Sequence, residues 1–427
     1  MIGAMFAVFA VLLILGVPII FTLGISSVVY LLSTPHVLSV LPQRLVTPFD
    51  SFSFVAVPLF ILAGEIMNTG GITRRLINLA SVLVGWLRGG LAYVNVVVSM
   101  LFGGVQGLAT ADVAAIGSVL IPAMKKSGYE AGFSTALTVA SATIGAIIPP
   151  SLLIIIFAMA TRLSIGRMFL AGIVPGILIG GMQMGLVFIY GRWRALGPPF
   201  PPGERVSTGQ AILYLRQGAP TMLLPLIILG GIGLGVFTAT ESAGVAVVYA
   251  VFLALVTREM RFSDIPGVLF RAAKLTGSVM LILGTASIFA WILTVERIPH
   301  QLGQLLLGFS SNIYVILLLL NLALLIIGTF MDATPAAIIL GPVMVPILAD
   351  LGMDPIHVGI FMCFNLILGH TTPPVGTCLY IASGISGLQI ERIAVAMIPF
   401  LVVNFITLMI ITYFPGIVLF LPNLLGG

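Results

Sequence analysis

Side chains able to hold a proton, an ion or a polar ligand are scarce in this chain, and those that fall inside apolar runs gather at two places. The first has Thr110 and Asp112, followed downstream by Pro149-Pro150 and Ser151; the second has Asp332 and Thr334, followed by His370, Thr371 and Thr372 directly before Pro373-Pro374, with Thr377 just beyond. A proline pair inside an apolar run removes two backbone donors, so carbonyls one turn earlier lose their helical partners. In hydrocarbon that is tolerated only where the broken backbone is buried in protein or lines a polar cavity, and freed carbonyls are good ligands for a small hard cation. Sodium is the obvious candidate.

Each polar residue also has a plainer reading. Asp332 precedes Thr334-Pro335 and is either an ion ligand or the N-cap of the helix that follows. Asp112 offers the same choice, and the cap reading is favoured because Val113 opens the next apolar stretch. For His370, Thr371 and Thr372 contact with substrate or ion is preferred over local capping, since ionisable groups at membrane depth are usually functional. Asn365 is read as a bridge between helices, and Glu65 and Glu241 as interfacial or paired. No Walker lysine motif, HExxH, Gly-x-Ser-x-Gly or Cys-x-x-Cys occurs, which argues against ATP-driven or hydrolytic chemistry by this chain alone.

The elements that must position these residues are membrane helices. Of 427 residues 59% are hydrophobic and 7% charged, with a mean hydropathy of +1.23, whereas a soluble domain carries about a quarter charged residues. Met1 to Leu32 lacks a basic leader and a cleavage site, so it reads as a retained membrane segment rather than a signal peptide. Cys363 and Cys378 sit in apolar surroundings, as reduced packing residues. The net charge of +5 is concentrated in short loops, which fits topology signalling and speaks against a nucleic-acid partner.

Apolar runs recur along the whole chain, and residues 2–32 and 222–257 can each be one long helix or two short ones. The most polar interior stretch, 191–216, carries Arg192, Arg194, Arg205, Arg216 and a Pro-Pro-Phe-Pro-Pro segment. It divides a first unit, 1–190, from a second, 217–427. A second basic loop holds Arg258, Arg261, Arg271 and Lys274; both loops are expected in the cytoplasm. Segments 72–88 and 296–311 are mixed in character and read as loops or amphipathic arms in the interface.

Shifting the chain on itself by 224 positions lays residues 104–175 on 328–399 without a gap, with twelve identities, eight of them glycine or proline. Gly104, Gly117, Gly128 and Gly145 meet Gly328, Gly341, Gly352 and Gly369; Pro122, Pro149, Pro150 and Pro175 meet Pro346, Pro373, Pro374 and Pro399. An internal repeat explains this better than chance. Gly103–Met124 and Gly328–Leu348 look too short and too punctuated for double spans and are read as re-entrant hairpins, about 103–127 and 328–350, each followed by a Pro-Pro-broken helix, about 130–161 and 355–385. Their tips would bring Thr110 and Thr334 toward the breaks, making two symmetric half-sites near the midplane.

The segments PLFILAGEIMNTGGI from Pro58, IGAIIPPS from Ile144, SIGRMFLAGIVPG from Ser164, GVFTATESAGVAVVYA from Gly235, GTFMDATPAAIIL from Gly328 and TTPPVGTCLYIASGISG from Thr371 together resemble the large membrane subunit of tripartite ATP-independent periplasmic (TRAP) transporters, through nearly the whole chain. The resemblance implies an all-α polytopic protein of the bacterial inner membrane with two inverted repeats and an elevator-type scaffold and transport domain. It implies a small membrane subunit and a periplasmic substrate-binding protein that delivers a small organic acid, with sodium-coupled uptake. Carried onto this chain, it places sodium ligands among Gly104, Thr110, Gly145 and Ile148 on one side and Gly328, Asp332, Thr334, Gly369 and Thr372 on the other. Where the family often has a Ser-Gly-Ser-like tip, this chain reads GGVQGLATAD from Gly103, so backbone carbonyls, Gln106 and Thr110 stand in for serine hydroxyls. Candidate substrate contacts are Gln106, Thr110, Ser151, Thr334, His370, Thr371 and Thr377.

Two other readings compete. One is a single-component sodium/carboxylate symporter of related architecture. The other is an intramembrane enzyme using Asp332 and His370 as an acid/base pair, against which the repeat argues: those positions align with Leu108 and Ala146, and catalysis does not require duplicated Pro-Pro breaks.

Overall fold

The computed structural model describes residues 2–34, 38–69, 71–104, 107–192, 200–309 and 312–425, and among these it contains helices and no strand. The first unit has ten α-helices: α1 (Ile2–Ile14), α2 (Ile19–Leu32), α3 (Val40–Val46), α4 (Ala56–Thr69), α5 (Ile72–Val84), α6 (Gly90–Gly103), α7 (Ala109–Lys126), α8 (Ala131–Gly145), α9 (Leu152–Thr161) and α10 (Ile165–Arg192). The second has α11 (Thr208–Gly233), α12 (Ala239–Val256), α13 (Ile265–Val295), α14 (Ile298–Phe309), α15 (Ile313–Phe330), α16 (Ala333–Asp350), α17 (Pro355–Gly369), α18 (Thr377–Ser386), α19 (Ile390–Tyr413) and α20 (Pro415–Leu425). Among the described residues eight spans are long and apolar enough to cross a membrane, whereas α6, α8, α9, α17 and α18 are shorter apolar helices. The apolar run 2–32 is two helices, broken at Gly16 with φ +73° before Pro18, and the run 222–257 is divided between α11 and α12 at Gly235 with φ +69°. Such left-handed backbone suits glycine because it carries no Cβ.

The repeat is borne out element by element. The shift of 224 places α7 on α16 and α8 on α17 with the same first and last positions, and Gly128 and Gly352, at the turns between them, have φ of +89° and +88°. Pro149-Pro150 and Pro373-Pro374 are both cis and both separate a helix from its continuation, α8 from α9 and α17 from α18. The ambiguous segments before each hairpin are helices, α5 and α14.

The extent of the hairpins is corrected. Glycine and proline do not fold the chain back on itself within 103–124 or 328–348: Ala109–Lys126 and Ala333–Asp350 are single helices that keep Pro122, Pro342 and Pro346 inside them. The hairpins are α6–α7, with the connection falling between Gly103 and Ala109, and α15–α16, turning at Met331-Asp332. Proline is tolerated within these helices because neighbouring helices and local adjustments re-satisfy the freed groups. The linker is likewise shorter than 191–216. Helix α10 continues to Arg192 and α11 starts at Thr208 behind a Ser207 cap, while 193–199, with Arg194 and the first two prolines of the proline-rich segment, lie outside the described residues. Phe200 is buried against Tyr129 and Phe133, and the Gly89 N–H donates to Pro201 O at 3.0 Å, which ties the linker to the loops before α6 and α8.

The two units run in opposite senses. Helix α8 begins beside α19: Phe133 packs on Phe400 with ring centroids 5.9 Å apart, and Tyr190 at the end of α10 joins both rings. Further along, Gln183 Nε2 donates to Ala140 O and to Asn404 Oδ1, so α8 runs parallel to α19 and antiparallel to α10. In the second unit α19 is the counterpart of α10, and the contact of His357, at the start of α17, with Ile411 O, near the end of α19, makes that pair antiparallel too. Helix α8 is therefore antiparallel to its own counterpart α17, which is inversion. The units also exchange partners: α7 packs on α18, with Gly117 against Ile385, and α16 packs on α9, with Gly341 against Phe157. A second group, α2, α4, α11, α12 and α13, packs together beside this core.

Candidate ion and substrate site

Each hairpin turn is held against the broken helix of its own unit by backbone approaches that only glycine permits. A Cβ on Gly103 would lie 2.7 Å from Gly145 Cα, and one on Gly369 would lie 2.3 Å from Gly328 C. At the first turn Gly107, φ +62°, rests on the Pro-Pro bend, where a Cβ would meet Pro150 O at 2.3 Å; Gly104 faces Pro225 of α11. At the second turn Ala333 N–H donates to His370 Nε2 at 2.7 Å, so the imidazole satisfies a first-turn donor of α16.

The two breaks are repaired unequally. Pro149 and Pro150 remove the donors for the Gly145 and Ala146 carbonyls. Ser151 Oγ donates to Ala146 O and accepts from Ile154 N–H, capping α9; no replacement for Gly145 O occurs among the described hydrogen bonds. In the second unit Thr372 N–H reaches Gly369 O at 3.0 Å and Cys378 N–H reaches His370 O at 3.1 Å. Thr371 and Thr372 each donate Oγ1 back to Leu368 O, both at 2.8 Å.

Asp112 departs from the sequence expectation. Its side chain makes no cap bond; the N-cap position of α7 is Leu108. The residue is 0% exposed, and neither carboxylate oxygen has a hydrogen-bond partner among the described residues. It lies on Gly145, where a Cβ would sit 2.0 Å from Asp112 Oδ2. Two oxygen groups near the first bend thus lack donors among the described residues: the Asp112 carboxylate, which lies on the Cα of Gly145, and the Gly145 carbonyl, which lies beside Gly103. A buried carboxylate without donors is costly until a cation or proton joins it. The signal was present in the sequence as a carboxylate two residues from Thr110, but its burial was not. Asp332 is instead exposed and caps α16, accepting from Thr334 N–H at 3.0 Å.

Gly145, Gly328 and Gly369 are buried at the contacts of turn and bend, and Gly104 is buried against α11; Thr110 and Thr334 are half-buried on the first turns of α7 and α16; Thr377 is exposed at the start of α18. Ile148 turns its side chain onto Gly176 of α10, leaving only its backbone for a ligand. Gln106 lies outside the described residues. Cys378 is buried at the start of α18, within electrostatic reach of both Asp112 and Asp332. Outside the site, Asn365 Nδ2 donates to Asn321 O and Oδ1, the expected interhelical bridge. Glu65 pairs with Arg271 at 3.0 Å and Glu241 forms a capping box with Thr238.

Residues 6–417 match the family model described as the DctM component of the tripartite ATP-independent periplasmic transporter. The chain belongs to this family. Among its relatives are the C4-dicarboxylate TRAP transporter large permease protein of Pseudomonas aeruginosa, 40% identical over 95% of this chain and 94% of that protein, and the sialic acid TRAP transporter large permease protein of Vibrio cholerae, 34% identical over 100% and 99%. The isethionate TRAP transporter permease protein DctMQ of Oleidesulfovibrio alaskensis is longer: at 37% identity the match covers 97% of this chain and 65% of it. The Alcanivorax borkumensis YdaH transporter, whose crystal structure is described as revealing an unusual topology, shares the fold with a TM-score of 0.62 at 16% identity, over 89% of this chain and 88% of that one. This DctM-family chain is a large permease subunit of a secondary transporter, and the three TRAP relatives above are named as permeases.

Proposed function

We propose that this large permease imports a small organic acid across the bacterial inner membrane by sodium symport, working with a small membrane subunit and a periplasmic binding protein. The observation that supports sodium coupling is the buried Asp112 carboxylate without a donor, next to a bend whose Gly145 carbonyl also lacks one: hard oxygens of this kind suit a small cation. Gly104, Thr110 and the Ile148 backbone complete that site, and Gly328, Asp332, Thr334, Gly369 and Thr372 form the second. Thr110, Ser151, Thr334, His370, Thr371 and Thr377 are the candidate cargo contacts between them, with Gln106 a further candidate outside the described residues. Ser151, Thr371 and Thr372 spend their hydroxyl hydrogens on backbone carbonyls, so each offers an anion its amide surroundings rather than a free O–H.

The organic acid follows from the relatives, which are named for C4-dicarboxylate, isethionate and sialic acid. The additional length of the isethionate relative, named DctMQ, supports a small membrane subunit as partner of this shorter chain. Basic residues Arg75, Arg88, Lys125, Lys126, Arg205 and Arg258 lie at one end of the helix assembly, which the positive-inside tendency assigns to the cytoplasm. The unit formed by both hairpins and α8–α10 with α17–α19 then moves as the transport domain against the α2, α4, α11–α13 scaffold. Coupling requires that ion and acid bind the moving unit together, so that half-loaded forms shuttle poorly.

Uptake of radiolabelled organic acids into proteoliposomes tests this, with and without the small subunit and binding protein, in sodium or choline. Uptake that needs all three components and sodium is expected. Uptake indifferent to sodium overturns the coupling, and sodium-driven uptake by this chain alone moves it to the single-component symporters.

A further inference from the structure

At the end of the molecule away from the basic loops, a cavity of about 1160 Å³ opens between the two helix groups. Its walls come from α3 and the turns after it, α13 and the start of α12 on one side, and from the end of α9, the start of α10 and α16 on the other. Basic residues are depleted at this end. Among the described residues Arg44, Arg162, Arg167 and Arg297 are found there, and the first three line this one cavity with Asp50 as the sole carboxylate. None of the three lies within 4 Å of a carboxylate among the described residues, whose ion pairs are Arg75–Glu259 and Arg271–Glu65. Arg44 stacks 5.6 Å over the ring of Trp291, which also lines the cavity.

Arg162 occupies the left-handed C-cap of α9, φ +58°; at the corresponding cap of α18 the chain has Gly387, φ +72°. Glycine fills such a position without strain, so local structure gives no reason for arginine in the first unit. Arg162 has no basic counterpart in either register, meeting Ser386 at the shift of 224 and Gly387 cap to cap, whereas Arg167 meets Glu391 in the first and Arg392 in the second. Arg162 thus breaks the repeat toward the cavity that Arg167 and Arg44 also line.

We propose that this cavity is a staging site for the carboxylate of the incoming acid, with Arg162 and Arg167 on the moving unit and Arg44 on the scaffold as its ligands. The inference rests on the organic-acid reading above and adds where the anion is first held. Guanidinium groups suit this role because they remain charged and bind carboxylates through paired donors. The cavity spans both helix groups, so an anion bridging Arg44 to Arg162 is released as the groups separate.

Trp291 provides a direct test. In full-length protein carrying Trp86→Phe and Trp193→Phe, in phosphatidylcholine nanodiscs, anionic iodide should quench Trp291 more strongly than cationic caesium, and succinate should protect it saturably. Arg162→Gly, which suits the left-handed backbone, combined with Arg167→Gln should abolish the iodide preference and weaken succinate protection about tenfold or more; Arg297→Gly, on the same face outside the cavity, should not. In proteoliposomes that transport a labelled acid, the double variant should raise its KM about tenfold at unchanged sodium dependence. Equal quenching by iodide and caesium, or protection that the double variant leaves intact, overturns the staging site. Protection by phosphatidylglycerol nanodiscs but not by succinate assigns the cavity to a lipid headgroup and overturns it too. Sodium-driven uptake without succinate protection would sink this inference alone, whereas protection without sodium-driven uptake would sink the symport reading alone.

Discussion

Asp112 is the residue whose substitution separates an ion site from a packing role. Asp112→Asn keeps the shape of the side chain and removes the orphan charge pressed against Gly145. A charge buried without a partner destabilises the fold, so its removal should leave the melting temperature unchanged or raise it. If the carboxylate holds sodium, uptake should be lost or should need more than about tenfold higher sodium; wild-type sodium dependence in the variant would remove Asp112 from the site. Glycine contacts respond in the opposite way. Gly369→Ala forces a Cβ into the Gly328 backbone, which has no flexible end to move aside. A loss of about 1–3 kcal/mol is expected, read as a lower melting temperature in detergent, while Gly384→Ala, with nothing within 4 Å, should melt like the wild type. His370→Ala removes the acceptor of Ala333 N–H and should cost about 1 kcal/mol by the same measurement.

At the scale of elements the repeat was legible because glycine and proline mark it, and these residues mark it for backbone reasons. Gly145 and Gly369 recur since two backbones touch there, and the proline pairs recur since both broken helices bend at the same position. A lone proline is a weaker mark than a pair. Pro122, Pro342 and Pro346 stay inside α7 and α16, so the hairpins begin earlier in the chain than their punctuation suggests. Partner exchange between units, α7 with α18 and α9 with α16, is a long-range choice with no local trace. Capping was legible only where the acceptor is close in sequence: Asp332 reaches Thr334, but the His370 contact with Ala333 joins residues 37 apart. One element contact tests the elevator directly. A Cβ on Gly166, at the start of α10, would lie 2.9 Å from Ile232 Cγ2 in α11, so Gly166→Cys with Ile232→Cys can form a disulfide between the group proposed to move and the group proposed to stay fixed. Oxidation should stop uptake and reduction restore it; undiminished uptake by the crosslinked protein would exclude relative movement of α10 and α11.

For the whole molecule, inversion couples charge to direction. The turn between α7 and α8 carries Lys125 and Lys126, while the same turn in the second unit carries Asp350 and Asp354. If the units are antiparallel in the membrane as α8 and α17 are in the fold, these turns face opposite compartments, and the positive-inside tendency puts the lysines in the cytoplasm. The cavity with Arg44, Arg162 and Arg167 also holds Pro346 near the end of α16, so it opens on the side of Asp350. Delivery by a periplasmic protein needs that side to be the periplasm. Cys363 and Cys378 are buried, which leaves a quiet background for thiol labelling, and Ser127 and Asp350 are exposed. Asp350→Cys should therefore react with a membrane-impermeant maleimide in spheroplasts, and Ser127→Cys only after the membrane is opened. The reverse pattern would place the arginine cavity in the cytoplasm, where it could serve release but not delivery. Labelling of both in closed spheroplasts would instead contradict the antiparallel placement of the two units.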